Sequence, residues 1–85
     1  MQIVRTHKFK KQYQKLPKKM QTRFDERLVL WLVNPADSLL RVHSLTGNYT
    51  GYFSMNVTGD IRAVYRHEGD EIVIFALIGS HSELY

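Results

Sequence analysis

The order of apolar and polar positions divides the chain into a helical half and a stranded half. Phe9, Tyr13 and Leu16 recur at i, i+4 and i+7, the spacing of one helix face, and Met20, Phe24, Leu28, Trp31 and Leu32 form a second such stripe. Leu16-Pro17 separates the two, because proline breaks a helix but suits the first turn of the next. Thr6 is placed to cap the first helix and Asn34-Pro35 to end the second. Val29, Leu30 and Val33 widen the second stripe, so the last two turns of that helix are expected to be its more buried part. From residue 51 the period changes to two. Tyr52, Ser54 and Asn56 alternate with Phe53, Met55 and Val57, and Arg62, Val64 and Arg66 alternate with Ile61, Ala63 and Tyr65. This predicts half-buried strands over Gly51–Val57 and Asp60–Arg66, joined at the Thr58-Gly59 turn. Ile72–Ile78 is apolar on both faces, as a central strand is. Gln2–Arg5 reads as a first strand, Leu39–Val42 as a short extended piece, and Ser44–Tyr49 as a loop. The sum is an α+β arrangement, β-α-α-β-β-β: one domain over residues 1–85 with a small, twisted, mostly antiparallel four-stranded sheet and an αα-hairpin on one face. Two helices cover one face only. The polar residues alternating on the strands therefore mark the other face as the place for a ligand or a partner.

Composition sharpens this picture in three respects. The chain has no cysteine, which excludes disulfides, thiolate metal sites and cysteine nucleophiles and suits a cytoplasmic protein. No apolar run approaches the roughly 20 residues that span a bilayer, and the N-terminus has no apolar core, so neither a membrane anchor nor a signal peptide is expected. Charge is uneven. Residues 1–31 hold nine of the twelve Lys and Arg and carry a formal +7, while residues 32–85 carry −3. A basic half of this kind suits a polyanion, most simply nucleic acid; a lysine-rich helix surface also serves solubility alone.

Candidate chemistry lies at the strand ends. The four histidines form no metal-ligand spacing, and no nucleophile elbow, phosphate loop or dinucleotide fingerprint occurs. No metal or other cofactor is expected. What remains is His43 after the short extended piece, Asp60 and Arg62 at the opening of a strand, His81 just past Gly79, and Tyr85. Two histidines can share acid and base roles near neutral pH, and an arginine can hold a phosphate bidentately. That set suits RNA phosphodiester cleavage by the neighbouring 2′-hydroxyl, which needs a base, an acid and a cation but no metal. The sequence equally allows each to be an isolated polar loop residue.

The pattern His43-x-Leu45-x-Gly47, Gly51-Tyr52, Asp60-x-Arg62-x-x-Tyr65 and the terminal Ile78-Gly79-Ser80-His81-Ser82-Glu83-Leu84-Tyr85 resembles the RelE/ParE superfamily of bacterial toxins, and within it the YafQ-type mRNA interferases of type II toxin–antitoxin systems. The likeness spans essentially the whole chain. It implies a ribosome-dependent endoribonuclease that cuts mRNA in the ribosomal A site and inhibits translation. It also implies a cognate antitoxin, and operator DNA binding only through the antitoxin complex. His43, Asp60 and His81 stand where YafQ-like enzymes use a histidine, an aspartate and a histidine. Arg62 stands where more RelE-like members use an arginine on the phosphate. The chain departs from the YafQ pattern at Asn56, where a further histidine is expected, so His43 and His81 are left to share the proton transfers. On this resemblance His43 is the general base, His81 the general acid, Arg62 the stabiliser of phosphorane charge, and Asp60 an orienting or substrate-contacting group. Tyr49, Tyr52 or Tyr85 would stack on a nucleobase, and Lys8, Lys11 and Lys15 with Arg23 and Arg27 would contact ribosomal RNA. The uncovered sheet face would offer a groove to the antitoxin. Two other readings stay open. One is a ParE-like DNA gyrase inhibitor, which has no need of the histidine pair. The other is an inactive basic RNA- or protein-binding module, toward which Asn56 leans.

Overall fold

The computed structural model describes residues 1–85. Its elements run β1 (Gln2–Arg5), α1 (His7–Lys15), α2 (Lys18–Val33), β2 (His43–Ser44), β3 (Phe53–Asn56), β4 (Ile61–Glu68), β5 (Ile72–Ser80) and α3 (His81–Leu84), with a 3₁₀ turn at Gly47–Tyr49. Thr6 caps α1 as its spacing predicts, its hydroxyl oxygen accepting from the Phe9 N–H at 3.0 Å. Pro17 sits just ahead of α2, and its carbonyl accepts from the N–H groups of Met20 and Gln21.

The strands form one five-stranded sheet in the order β1-β5-β4-β3-β2. β1 runs parallel to β5 and every other pair is antiparallel. The β1 pairing ends at Arg5 opposite Phe75. Beyond it the edge of β5 is taken over by α1. The Thr6 hydroxyl donates to the Ala76 carbonyl at 2.9 Å, and the Gln12 side-chain oxygen accepts from the Ile78 N–H at 2.9 Å. The edge of β5 is thus satisfied without a further strand.

Between hairpin and sheet lies an aromatic core. Phe9, Phe24, Trp31, Tyr65 and Phe75 are buried, with successive ring centroids 5.2–5.9 Å apart in tilted and edge-to-face contacts. The Trp31 indole N–H donates to the Tyr65 hydroxyl at 3.1 Å, which supplies the polar partner that both rings need on burial. Phe53, Met55, Val57, Ile61, Ala63 and Tyr65 point into this core, the set that alternation assigned to one face. The opposite face carries a smaller cluster of Val64, Leu77 and Leu84, flanked by Leu45, Tyr49, Tyr52 and Ala76.

The structure differs from the sequence reading in four places. The sheet has five strands rather than four, because His43–Ser44 pairs with β3. Leu39–Val42 is not a strand: the Asp37 side chain and carbonyl accept from the N–H groups of Leu39 and Leu40, closing a turn, and Arg41 adopts a left-handed backbone with φ 45°. The end of α2 is exposed, with Val29, Leu32 and Val33 at 62%, 50% and 80% of full exposure. Phe24 and Trp31, seven residues apart, already supply the buried side chains of that helix. The last strand runs on to Ser80 and is followed by α3, which hydropathy alone does not announce. No helix is long and apolar enough to cross a membrane.

Candidate active site

Register builds the site on the face away from the helical hairpin. Directly opposed residues in an antiparallel ladder share a face. His43 lies opposite Ser54, Ser54 opposite Val64, and Val64 opposite Leu77, which makes one row across four strands. The next row is Asn56, Arg62 and Gly79. β5 ends at Ser80 beside that second row, and His81 is the first residue of α3. The outcome is a cleft of about 240 Å³ lined by His43, Leu45, Ser54, Arg62, His81 and Tyr85. Three of the four residues expected to act on a phosphodiester therefore share one cleft.

α3 is held by three contacts. Ser80 and Glu83 form a capping box: the Ser80 N–H donates to the Glu83 carboxylate at 2.9 Å, and the Glu83 N–H to the Ser80 hydroxyl at 3.3 Å. Leu84 is buried against Val64 and Leu77. The Tyr49 hydroxyl donates to the Leu84 carbonyl at 3.1 Å, with its ring edge-on to Tyr85. Gly79 packs directly under this helix, 3.4 Å from Glu83 Oε1 and Leu84 Cδ2 at the position a Cβ would take. Ser80, through its backbone N–H and then its hydroxyl, holds the Glu83 carboxyl below its usual range.

The two histidines are presented differently. His43 Nδ1 lies 3.1 Å from the Arg41 carbonyl oxygen. A carbonyl only accepts, so Nδ1 carries the proton and Nε2 of the neutral ring bears a lone pair. The left-handed backbone of Arg41 belongs to this arrangement and is held by its neighbours: Leu40 is fully buried and its carbonyl accepts from the Asn56 N–H at 2.7 Å. The His81 ring packs on Tyr85, with centroids 4.9 Å apart. Arg62 Nη1 makes only long contacts, at 3.4 and 3.3 Å, with the Thr58 and Gly59 carbonyls, which leaves most of the guanidinium for a ligand.

Other expected residues lie apart. Asp60 is exposed in the turn before β4 and lines neither this cleft nor its neighbour. Tyr49 is half-buried as a strut under α3, whereas Tyr85, 45% exposed, stays open to the cleft. Lys8, Lys11 and Lys15 are exposed and without ion-pair partners. Lys8 lies beside Tyr49 and Tyr52, and Lys15 beside Gly79 and Glu83. Arg23 pairs with Glu26 at 3.5 Å and lines a second cleft, of about 600 Å³, that also contains Arg62. No three His, Asp or Glu side chains gather anywhere in the fold.

Sequence reasoning missed Ser54 as a site residue. It is fully buried, it lines the cleft between His43 and Arg62, and its hydroxyl has no hydrogen-bond partner. Alternation placed it on the correct face, but nothing in the sequence shows that its hydroxyl is left unpaired.

Comparison with known proteins follows the same lines. The profile of a family described as the bacterial toxin of type II toxin–antitoxin system, YafQ, matches residues 1–85. The crystal structure of YafQ from E. coli strain BL21(DE3) superposes with a TM-score of 0.84 at 21% identity, covering 98% of this chain and 96% of that one. The toxin in the E. coli DinJ–YafQ toxin–antitoxin complex gives 0.80 at 21%, covering 98% and 94%. A YoeB/ParE toxin from Agrobacterium tumefaciens gives 0.80 at 24%, covering 95% and 99%. No curated protein matches the chain in sequence.

Two predictions test this geometry. Ser54→Ala removes a buried hydroxyl that has no partner, so the fold should gain about 1 kcal/mol. A higher urea midpoint with unchanged slope is the expected result, and a lower midpoint would show that the hydroxyl is paired. The second concerns the capping box. A carboxyl held below its usual range stabilises above that range and loses its effect as pH falls through its own depressed pKa. Amide-exchange protection at Ser80 should therefore fall on acidification in the wild type, and be low already at neutral pH in Glu83→Ala. Protection untouched by the substitution would contradict the capping role.

Proposed function

The chain belongs to the YafQ family of bacterial type II toxin–antitoxin toxins, and from that premise we propose that it is an endoribonuclease that cuts mRNA on the ribosome and is silenced by a cognate antitoxin. The observation that carries the reading is the single cleft shared by His43, Arg62 and His81. A binding inhibitor has no need of two histidines and an arginine in one recess, whereas transesterification of RNA needs those three groups together.

In the proposed reaction the free Nε2 of His43 takes the proton of the 2′-hydroxyl. The 2′-oxygen attacks the adjacent phosphorus, and Arg62 stabilises the negative charge that gathers on the phosphorane oxygens. The bond from phosphorus to the 5′-oxygen then breaks, and His81 gives its proton to that oxygen. The products are a 2′,3′-cyclic phosphate and a 5′-hydroxyl. Asn56, in the same row as Arg62, has no titratable proton in this pH range, so both transfers fall to the histidine pair. Tyr85 stacks on a base next to the cut, and Tyr49 contributes by fixing α3. Asp60, exposed in the turn before β4, stays outside the reaction and meets substrate only at the rim. The unpaired lysines of α1 contact ribosomal RNA. The E. coli relative assembles with DinJ, and an antitoxin of this chain would act by covering the same cleft.

The test is a translation reaction with purified ribosomes and a defined mRNA, with RNA ends mapped by primer extension. Cleavage at in-frame codons, only with ribosomes present, is the expected result. His81→Ala should slow it by about 10²–10⁴-fold, the usual worth of a positioned general acid. Intact mRNA, or unchanged cleavage by His81→Ala, overturns the reading.

A further inference from the structure

Arg62 lines two clefts, the one with the histidines and the larger one beside it. In the larger cleft it meets Arg23 and Arg27 from α2 and Arg41 from the turn before β2, with Asn56 and Thr58 between them. Four arginines thus line one open recess of about 600 Å³. Glu26 pairs with Arg23 at 3.5 Å and Asp37 lines a recess on the other side of Arg41, but Arg27, Arg41 and Arg62 have no carboxylate within ion-pair distance. Like charges lining one recess repel, and an anion between them relieves that repulsion. Arginine forks match phosphate oxygens bidentately. The lining is largely polar, which fits a nucleic-acid backbone better than the apolar centre of a protein interface.

We propose that the arginine cleft is a second phosphate site, which holds the backbone of the RNA strand next to the phosphate being cut. The inference rests on the ribonuclease reading and extends it. A strand whose scissile phosphate lies between His43, His81 and Arg62 continues past Arg62 into the recess, where Arg27 and Arg41 take the neighbouring phosphate. Arg41 is central because it serves both clefts: its carbonyl accepts from the His43 ring and its side chain lines the phosphate recess. Occupancy of the recess would thereby steady the turn that orients the base.

The experiment measures binding of two uncleavable RNAs to the isolated protein across a salt series. One is a dinucleotide with 2′-deoxyribose at the point of attack. The other is the same step extended by one nucleotide on each side. The variant is Arg27→Gln with Arg41→Asn, asparagine being chosen because it tolerates a left-handed backbone; equal thermal midpoints check that it folds. The wild type should bind the longer RNA about tenfold more tightly than the shorter, and the double variant should lose that gain. Its salt dependence on the longer strand should be shallower by about 0.7 in log–log slope, one single-strand phosphate contact fewer. A wild type that gains nothing from the longer strand, or a variant that keeps the gain, overturns the assignment. So does binding of a polyglutamate peptide that needs Arg27 and Arg41 while the RNA gain is unaffected, which would give the cleft to an acidic protein segment. Failure of the ribonuclease reading is distinguishable: mRNA would survive in the ribosome reaction while the length gain persisted.

Discussion

The ladder between β4 and β5 sets everything that the site requires. It runs without a break from Ile61 opposite Ser80 to Val64 opposite Leu77, and Arg62 is thereby fixed opposite Gly79. Because β5 stays paired to Ser80, the chain leaves the sheet one residue past the arginine, and His81 has no other place to go than the recess above it. Further along, the register slips between Val64 and Tyr65, so that Ala76 stands without a partner on β4. The Thr6 hydroxyl takes its carbonyl, and Gln12 takes the next free N–H at Ile78. The same stretch of β5 is thus held by β4 on one edge and by α1 on the other, and His81, Arg62 and the cap of α3 inherit that rigidity.

The two faces of the sheet divide the tasks. Aromatic packing against the hairpin supplies most of the burial, and large edge-to-face ring contacts make that side a stable platform. The other face spends little area on packing. Its small cluster of Val64, Leu77 and Leu84 seats α3. Around it lie a buried hydroxyl without a partner in the protein at Ser54, a left-handed backbone at Arg41, and four arginines lining one recess. Each opposes stability.

Much of the fold was legible because it follows from local rules. Alternation sorted Phe53, Met55, Val57, Ile61, Ala63 and Tyr65 to the helix side, and all six point there. Thr6 and Pro17 marked helix starts through their backbone chemistry alone. The misreadings have non-local causes. Leu39–Val42 carries strand-like residues, but the Asp37 turn and the left-handed Arg41 interrupt the extended chain and move the pairing to His43. The apolar end of α2 resembles a core stripe, yet Val29 and Val33 lie on a side that no element covers. α3 went unread: four residues are too few for a hydropathy period, and its Ser80-x-x-Glu83 capping-box spacing was not used. For the site, spacing supplied the residue types and the fold supplied the grouping. His43 and His81 meet across strands far apart in sequence, Tyr49 is drawn away to hold α3, and Asp60 is left in an exposed turn.

The central claim is that His43 works as base and His81 as acid in one cleft. The most direct measurement is the pH dependence of single-turnover mRNA cleavage on the ribosome, for the wild type and for the alanine variant at each histidine. The wild type should show a bell-shaped profile, its acid limb missing from the residual activity of His43→Ala and its alkaline limb missing from that of His81→Ala. A bell that survives intact in both variants would contradict it.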